Sequence, residues 1–241
     1  MAEKRKSILM EISFLCLGLC VAPCIAAEAD KKEENDGFTR GDEVKVFDGK
    51  SLKNWRVIDI FDFKDHGKVS VKEGVFRLEK GVFGTGISYK KKIPRSNYEL
   101  TLEGRRSDGD DFFCGLTFPV KKDYCTLILG GWGGSLVGLS NIDDFSAAEN
   151  ETTTVVEFKN NQWYKIRLRV TDEFIRVWID DEKTIDAETD GRKFSIWWEQ
   201  EPITPLGIAT WKTTGEIRKL KLYKLKRQEK EQQASDNEKS E

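Results

Sequence analysis

The sequence predicts an all-β protein, a two-sheet antiparallel sandwich of jelly-roll type. Three observations carry this. About a dozen short apolar or aromatic segments recur at regular spacing, separated by Gly, Asp, Asn and Pro. Two stretches alternate cleanly between apolar and polar residues, which is the period of a half-buried strand. No segment of the central region keeps a helical period over three turns, so layered sheets are the architecture left.

The strands are expected in this order. Val44–Phe47 runs into an Asp48-Gly49-Lys50-Ser51 turn, and 54–60 reads as extended. Val69–Val71 and Val75–Leu78 flank Lys72-Glu73-Gly74, a hairpin signal, and Gly84–Tyr89 is a further short strand. In Asn97–Arg106, Tyr98, Leu100 and Leu102 share one face, and Glu99, Thr101, Glu103 and Arg105 the other. Asp111–Phe118, Tyr124–Gly130 and Gly134–Ser140 form three consecutive strands, turning at Lys121-Lys122-Asp123 and at Gly130-Gly131-Trp132-Gly133-Gly134. Trp163–Thr171 and Phe174–Asp180 form a hairpin across Asp172-Glu173, placing Trp178 among Arg167 and Arg176 on the polar face, where Arg167 is placed to stack on it. Phe194–Trp198, Leu206–Trp211 and Glu216–Leu225 complete the set.

Organisation follows from composition. Lys4-Arg5-Lys6, the apolar run Ile12–Ala27 and the charged segment after it have the three parts of a secretory signal peptide, expected over residues 1–27. A charged linker is expected over 28–41, one domain over 42–226 and a disordered charged tail over 227–241. The expected localisation is export to the periplasm, the envelope or the medium, with no membrane span once the leader is removed. Charged residues make up 34% of the 241-residue chain and the net charge is −2, which argues against a nucleic-acid footprint. Of the five cysteines, Cys114 and Cys125 lie beyond the leader. With a turn at Pro119-Val120 they face each other and form a disulfide; with a turn at Lys121-Lys122 they miss and are small buried apolar residues. A lone histidine, His66, and no serine in a nucleophile-elbow context give no support to Ser/His/Asp catalysis.

The ordered motifs Val46-Phe47-Asp48-Gly49-Lys50-Ser51-Leu52 with Trp55, Val69–Leu78 about Gly74, and Asn97–Glu103 resemble the start of the 3-keto-disaccharide hydrolase domain family. Trp163–Val170, Phe174–Asp180 and Pro205–Leu225 extend the resemblance over about 44–225. It implies a concanavalin A-like jelly roll and a carbohydrate or glycoside partner. It also implies cleavage of glycosides oxidised at carbon 3, where the keto group acidifies the neighbouring C–H and permits elimination of the glycosidic oxygen. Such chemistry needs a base, an enolate stabiliser and often a divalent cation such as Ca²⁺. The sequence departs from the family pattern at 108–115, and its Tyr124–Ile128 strand has no carboxylate.

Candidate site residues follow. Glu103 is a candidate base or acid and Arg105 an oxyanion holder, beside Asp110-Asp111, with Asp111 placed to bind a cation or hydroxyls. The plain alternative is an exposed ion pair next to a turn. Trp132, held between glycine pairs, is either a stacking platform or a lid on the core. Trp178, Asn141 and Asn150 complete the candidate sugar contacts. Asp143, Asp144, Glu149 and Asn150 are hard oxygen ligands in one loop, but lack a calcium-loop spacing. Two functions remain open: an exported enzyme on 3-keto-glycosides, and a non-catalytic carbohydrate-binding or cell-surface module of the same fold.

Overall fold

The computed structural model describes residues 36–228, and the expected leader, most of the linker and the tail beyond Gln228 lie outside them. Fifteen strands are formed by the described residues. They are β1 (Phe38–Val44), β2 (Trp55–Ile58), β3 (Val69–Lys72), β4 (Val75–Leu78), β5 (Gly84–Tyr89), β6 (Tyr98–Asp108), β7 (Cys114–Val120) and β8 (Asp123–Gly130). There follow β9 (Leu136–Ser140), β10 (Thr154–Val155), β11 (Tyr164–Val170), β12 (Phe174–Ile179), β13 (Glu182–Glu188), β14 (Gly207–Trp211) and β15 (Thr214–Arg227). Two 3-10 turns, Phe61–Phe63 and Trp198–Ile203, interrupt them.

The strands build two antiparallel sheets. One runs β13-β12-β11-β6-β15-β4-β3, with β1 paired to β15; the other runs β10-β9-β8-β7-β14-β5-β2. This is the expected jelly-roll sandwich. The core lies between the sheets. Tyr98, Leu100 and Leu102 of β6 and Ile166 and Leu168 of β11 meet Leu116 and Phe118 of β7, Leu127 and Leu129 of β8 and Ile208 of β14. Period-two alternation therefore leaves Thr117, Thr126, Ile128 and Ala209 on the outer face of the second sheet.

Most expected strands are present within a residue or two. The β11–β12 hairpin has the expected register, with Arg167 opposite Trp178. Four expectations are corrected. The linker expected over 28–41 ends earlier, because Phe38–Arg40 pair with Leu225–Arg227. Phe38 packs edge-on against Phe174, 5.9 Å between ring centres, in a small cluster with Leu225. For the same reason Arg227 belongs to β15 rather than to a disordered tail. Val44–Phe47 is not a strand beyond Val44, and of Phe194–Trp198 only Phe194 pairs, as an isolated bridge to Ile142, before the second 3-10 turn starts at Trp198.

The disulfide is also corrected. The β7–β8 turn is Lys121-Lys122, so Cys114 pairs with Leu129 and Cys125 with Phe118. The cysteines are four residues out of register, about 13 Å along the strand, beyond disulfide reach. Both thiols are free and buried, and burial pushes each pKa up to about 12.

Candidate functional site

The outer face of the second sheet is built from small residues, and that is why it can hold a cavity. The two 3-10 turns dock on it through one apolar anchor each. A Cβ on Gly84 would lie 2.6 Å from the Phe63 ring, and one on Gly207 1.7 Å from Ile203, so only glycine lets both turns settle on the sheet. Phe63 and Ile203 are fully buried there with Ile58 and Ala209. The rest of each turn is held up at the edge of a cavity of about 320 Å³ over β8 and the ends of β7 and β14.

Thr126 and Ile128 of β8 lie at its base. Its aromatic walls are Phe112, Trp211, Trp132 and Trp197. Phe112 and Trp211 stack with centres 6.3 Å apart, and Phe83 extends the row at 5.8 Å from Trp211. Polar groups are few: Asp62 from the first 3-10 turn, Asp111 from the turn before β7, and Glu199 and Gln200 from the second 3-10 turn.

Trp132 is held out by its turn. It adopts φ +46° between Gly131 and Gly133, and 53% of it is exposed, so it is not a lid on the core. The turn rests on Arg106, buried, which donates to Gly134 O at 3.1 Å, Phe158 O at 2.7 Å and Asn160 Oδ1 at 2.6 Å. Asp111 joins this turn to the next wall: its carboxylate accepts the Phe112 N–H at 2.7 Å and the Trp132 backbone N–H. Burial in the aromatic cavity nevertheless pushes the Asp111 pKa above its ordinary value, and Asp110 adds to the rise.

Of the residues expected from sequence, Asp111 and Trp132 thus meet in one cavity. Glu103 and Arg105 do not join them, because they project from β6 on the outer face of the other sheet. Glu103 accepts from Arg218 at 2.7 Å and Lys219 at 2.6 Å. Burial pushes its pKa up, but these two bonds outweigh it and hold the carboxyl below its ordinary value. Arg105 pairs with Glu216 and lies over the Trp163 ring. Each is ion-paired with a different partner and half-buried, so they do not form the exposed pair of the plain alternative either. Trp178 lies on that same sheet, buried beneath Arg167, whose guanidinium stacks 3.8 Å from the ring centre.

Asn141 and Asn150 are structural. Asn141 is buried, its N–H donating to Ser195 O and its Oδ1 accepting from Ser140. Asn150 ties its loop together, donating to Leu139 O, Phe145 O and Ser146 O and accepting from Thr152. The loop carboxylates are occupied as well: Asp143 by Arg192 and the Lys193 N–H, Asp144 by Lys193, Glu149 by Ser146. Among the described residues no three His, Cys, Asp or Glu side chains converge as metal ligands. Nor does any helix among them have the length and apolarity to cross a membrane.

Asp62, Trp197, Glu199, Gln200 and Trp211 were missed from sequence. The signal for three of them was present: the doublet Trp197-Trp198 followed by Glu199-Gln200 is a pair of exposed aromatics in a polar segment, and a strand reading hid it.

The family model described as 3-keto-alpha-glucoside-1,2-lyase-like domain matches residues 42–223. No curated protein matches the chain significantly. Among solved structures, a Bacillus subtilis protein of unknown function with a galectin-like fold aligns with TM-score 0.57 at 11% identity, over 79% of this chain and 100% of that one. The carbohydrate binding module CBM66 of Bacillus subtilis aligns with TM-score 0.44 at 13% identity, over 70% and 95%. Domain 4 of the extracellular arabinanase AbnA from Geobacillus stearothermophilus, solved with arabinotriose, aligns with TM-score 0.43 at 14% identity, over 66% and 76%.

Proposed function

Because the chain belongs to the 3-keto-alpha-glucoside-1,2-lyase-like domain family, we propose that it is an exported enzyme that cleaves glycosides oxidised at carbon 3, in the cavity between Trp132, Trp197 and Trp211. The observation that carries this reading is Asp111, a carboxylate of raised pKa inside an aromatic-walled cavity. A base for this reaction must be ionised at working pH and yet hold a proton well enough to remove one from carbon, and desolvation moves a carboxyl in that direction.

The chemistry balances without a cofactor. Asp111 takes the proton from C2, which the C3 ketone acidifies. The C2 electron pair forms the C1–C2 double bond as the C1–O bond breaks, and the aglycone leaves on oxygen and takes up a proton. Addition of water across the double bond then gives the free 3-keto sugar. The tryptophan faces hold the C–H side of the ring, which fits a cavity whose walls are mostly aromatic. The exposed tryptophans alone favour the second reading, a carbohydrate-binding module that holds a glycan without cleaving it.

One experiment separates the two. Purified protein is incubated with a panel of 3-keto-glucosides and aglycone release is followed. Release that falls about 10²–10⁴-fold in Asp111→Asn, the usual worth of a positioned base, and is kept in Glu103→Gln on the other sheet, supports the enzyme and its base. Release unaffected by Asp111→Asn removes Asp111 from the role. Glucoside binding with no release from any substrate leaves the binding module.

A further inference from the structure

Carboxylates that share a poorly solvated cavity repel one another, and the repulsion grows as water is excluded. The aromatic cavity gathers three of them. Asp62, Asp111 and Glu199 line it, and among the described residues no Lys, Arg or His side chain does. Asp62 and Glu199 are half-buried, and neither carboxylate meets a hydrogen-bond donor or a counter-ion among the described residues. They come from the two 3-10 turns, which touch where Phe61 meets Trp198 edge-on at 5.0 Å. Around them stand Phe112, Trp132, Trp197 and Trp211. This aromatic row already holds a cation at its end: Lys212, next to Trp211, places Nζ 5.4 Å from the centre of the Phe83 ring.

From this we infer that the cavity takes a protonated amine, and that the glycosides it serves carry that amine on the aglycone. The inference rests on the sugar-site reading above and adds the substrate class. An ammonium answers both halves of the lining. Its charge offsets the carboxylates of Asp62 and Glu199, its N–H groups donate to them, and the aromatic faces attract it. A neutral sugar can donate hydroxyls to the same carboxylates but leaves their charge unmatched. A hard metal ion would use the carboxylates alone, since it takes about six or more oxygen ligands and aromatic faces supply none. An anionic glycoside would meet three like charges. The amine belongs to the aglycone because the oxidised ring must keep its C2–H toward Asp111.

The test compares two 3-keto-glucosides that differ in one group. The aglycone is glucosamine in one and glucose in the other, so an ammonium replaces a hydroxyl of similar size. Wild type is expected to cleave the amine-bearing glycoside with a kcat/KM about tenfold or more higher, the worth of a desolvated cation on aromatic faces. The double variant Asp62→Asn with Glu199→Gln is expected to bring the two substrates to within about threefold, the attraction that the aromatic faces alone retain. Its melting temperature is expected to stay level or rise, since neither carboxylate has a partner to lose and their repulsion is relieved. Equal kcat/KM for the two glycosides, with aglycone released from both, overturns this inference and leaves the lyase reading in place. A preference that persists in the double variant overturns it too, because the amine is then held elsewhere. No release from either glycoside overturns the lyase reading, and free glucosamine and glucose, titrated by calorimetry and tryptophan fluorescence, then decide the inference by themselves. Tighter binding of glucosamine that the double variant loses upholds the amine site, and equal binding overturns it.

Discussion

At the scale of single residues, Asp111 ties the proposed chemistry to stability. Its folded-state pKa lies above the unfolded value of 3.8, chiefly through burial. The folded protein therefore holds this proton more tightly than the unfolded chain does, and ionisation costs stability. The cost is absent below the unfolded pKa, grows as pH rises from the unfolded to the folded value, and is complete above the folded pKa. Asp111→Asn keeps an acceptor for the Phe112 N–H and removes the charge. Its melting temperature should exceed that of wild type at pH 7, and the difference should vanish below about pH 3.8. The same titration runs through turnover with the opposite consequence: aglycone release by wild type should fall as pH drops through the raised pKa. A variant less stable than wild type at pH 7 would mean that the carboxylate's two backbone bonds outweigh its burial. The carboxylate of Glu103 lies on the other side of this balance, held ionised by Arg218 and Lys219.

At the scale of elements, the Gly130–Gly134 turn is the piece on which the cavity depends. Gly134 has φ +97°, and a Cβ there would stand 2.5 Å from the Arg106 guanidinium and 3.1 Å from Asp110 O. Gly133 has φ +90° and no atom within 4 Å of the same position. Gly133→Ala pays backbone strain alone, about 1–3 kcal/mol; Gly134→Ala pays the strain and also displaces Arg106 from the turn. Thermal melts should rank wild type, then Gly133→Ala, then Gly134→Ala, and sugar titration should show the larger loss in the last, where Trp132 moves. Equal effects would mean that Arg106 does not hold the turn. This turn was legible in the sequence because five consecutive residues carry the whole feature. β6 and the β11–β12 hairpin were legible because each buries a single face, which writes alternation into the chain. β13 was not, since EKTIDAE sends only Ile185 and Ala187 into the core. β1 was not, since FTRGDEV is an edge strand with one buried residue. The site was half legible: Asp111 and Trp132 stand at the two ends of the β7–β8 hairpin, whereas Asp62, Gln200 and Trp211 come from three distant segments that only the fold brings together.

At the scale of the whole molecule, the two outer faces divide the work. One is small and open, and carries the cavity. The other is charged, and its own cavity of about 350 Å³ is lined by Arg40, Glu103, Arg167, Trp178, Lys219 and Lys221. Glu99 projects from β6 on the polar face of the alternation, yet it is 0% exposed, because the beginning of the described chain lies across it. Arg169 reaches Glu99 at 2.7 Å and Asp36 at 2.6 Å, Arg40 of β1 pairs with Glu99 from the other side, and Arg176 approaches Asp36 at 3.6 Å. The network thus joins β1, β6, β11 and β12 across the sheet. Breaking a buried pair costs far more than the pair contributes, since the surviving charge stays buried without its counter-ion, and losses of about 3–5 kcal/mol are usual. Arg169 keeps Asp36 when Glu99 is removed, so Glu99→Ala should fall near the lower end of that range. It should leave the sugar affinity of the folded protein unchanged, because the sandwich core stands between Glu99 and the cavity. Denaturant titration and sugar titration of the same preparation check both halves. A loss of affinity at a temperature where the variant is fully folded would show that the charged face sets the shape of the open one, and the division of work between the sheets would fall.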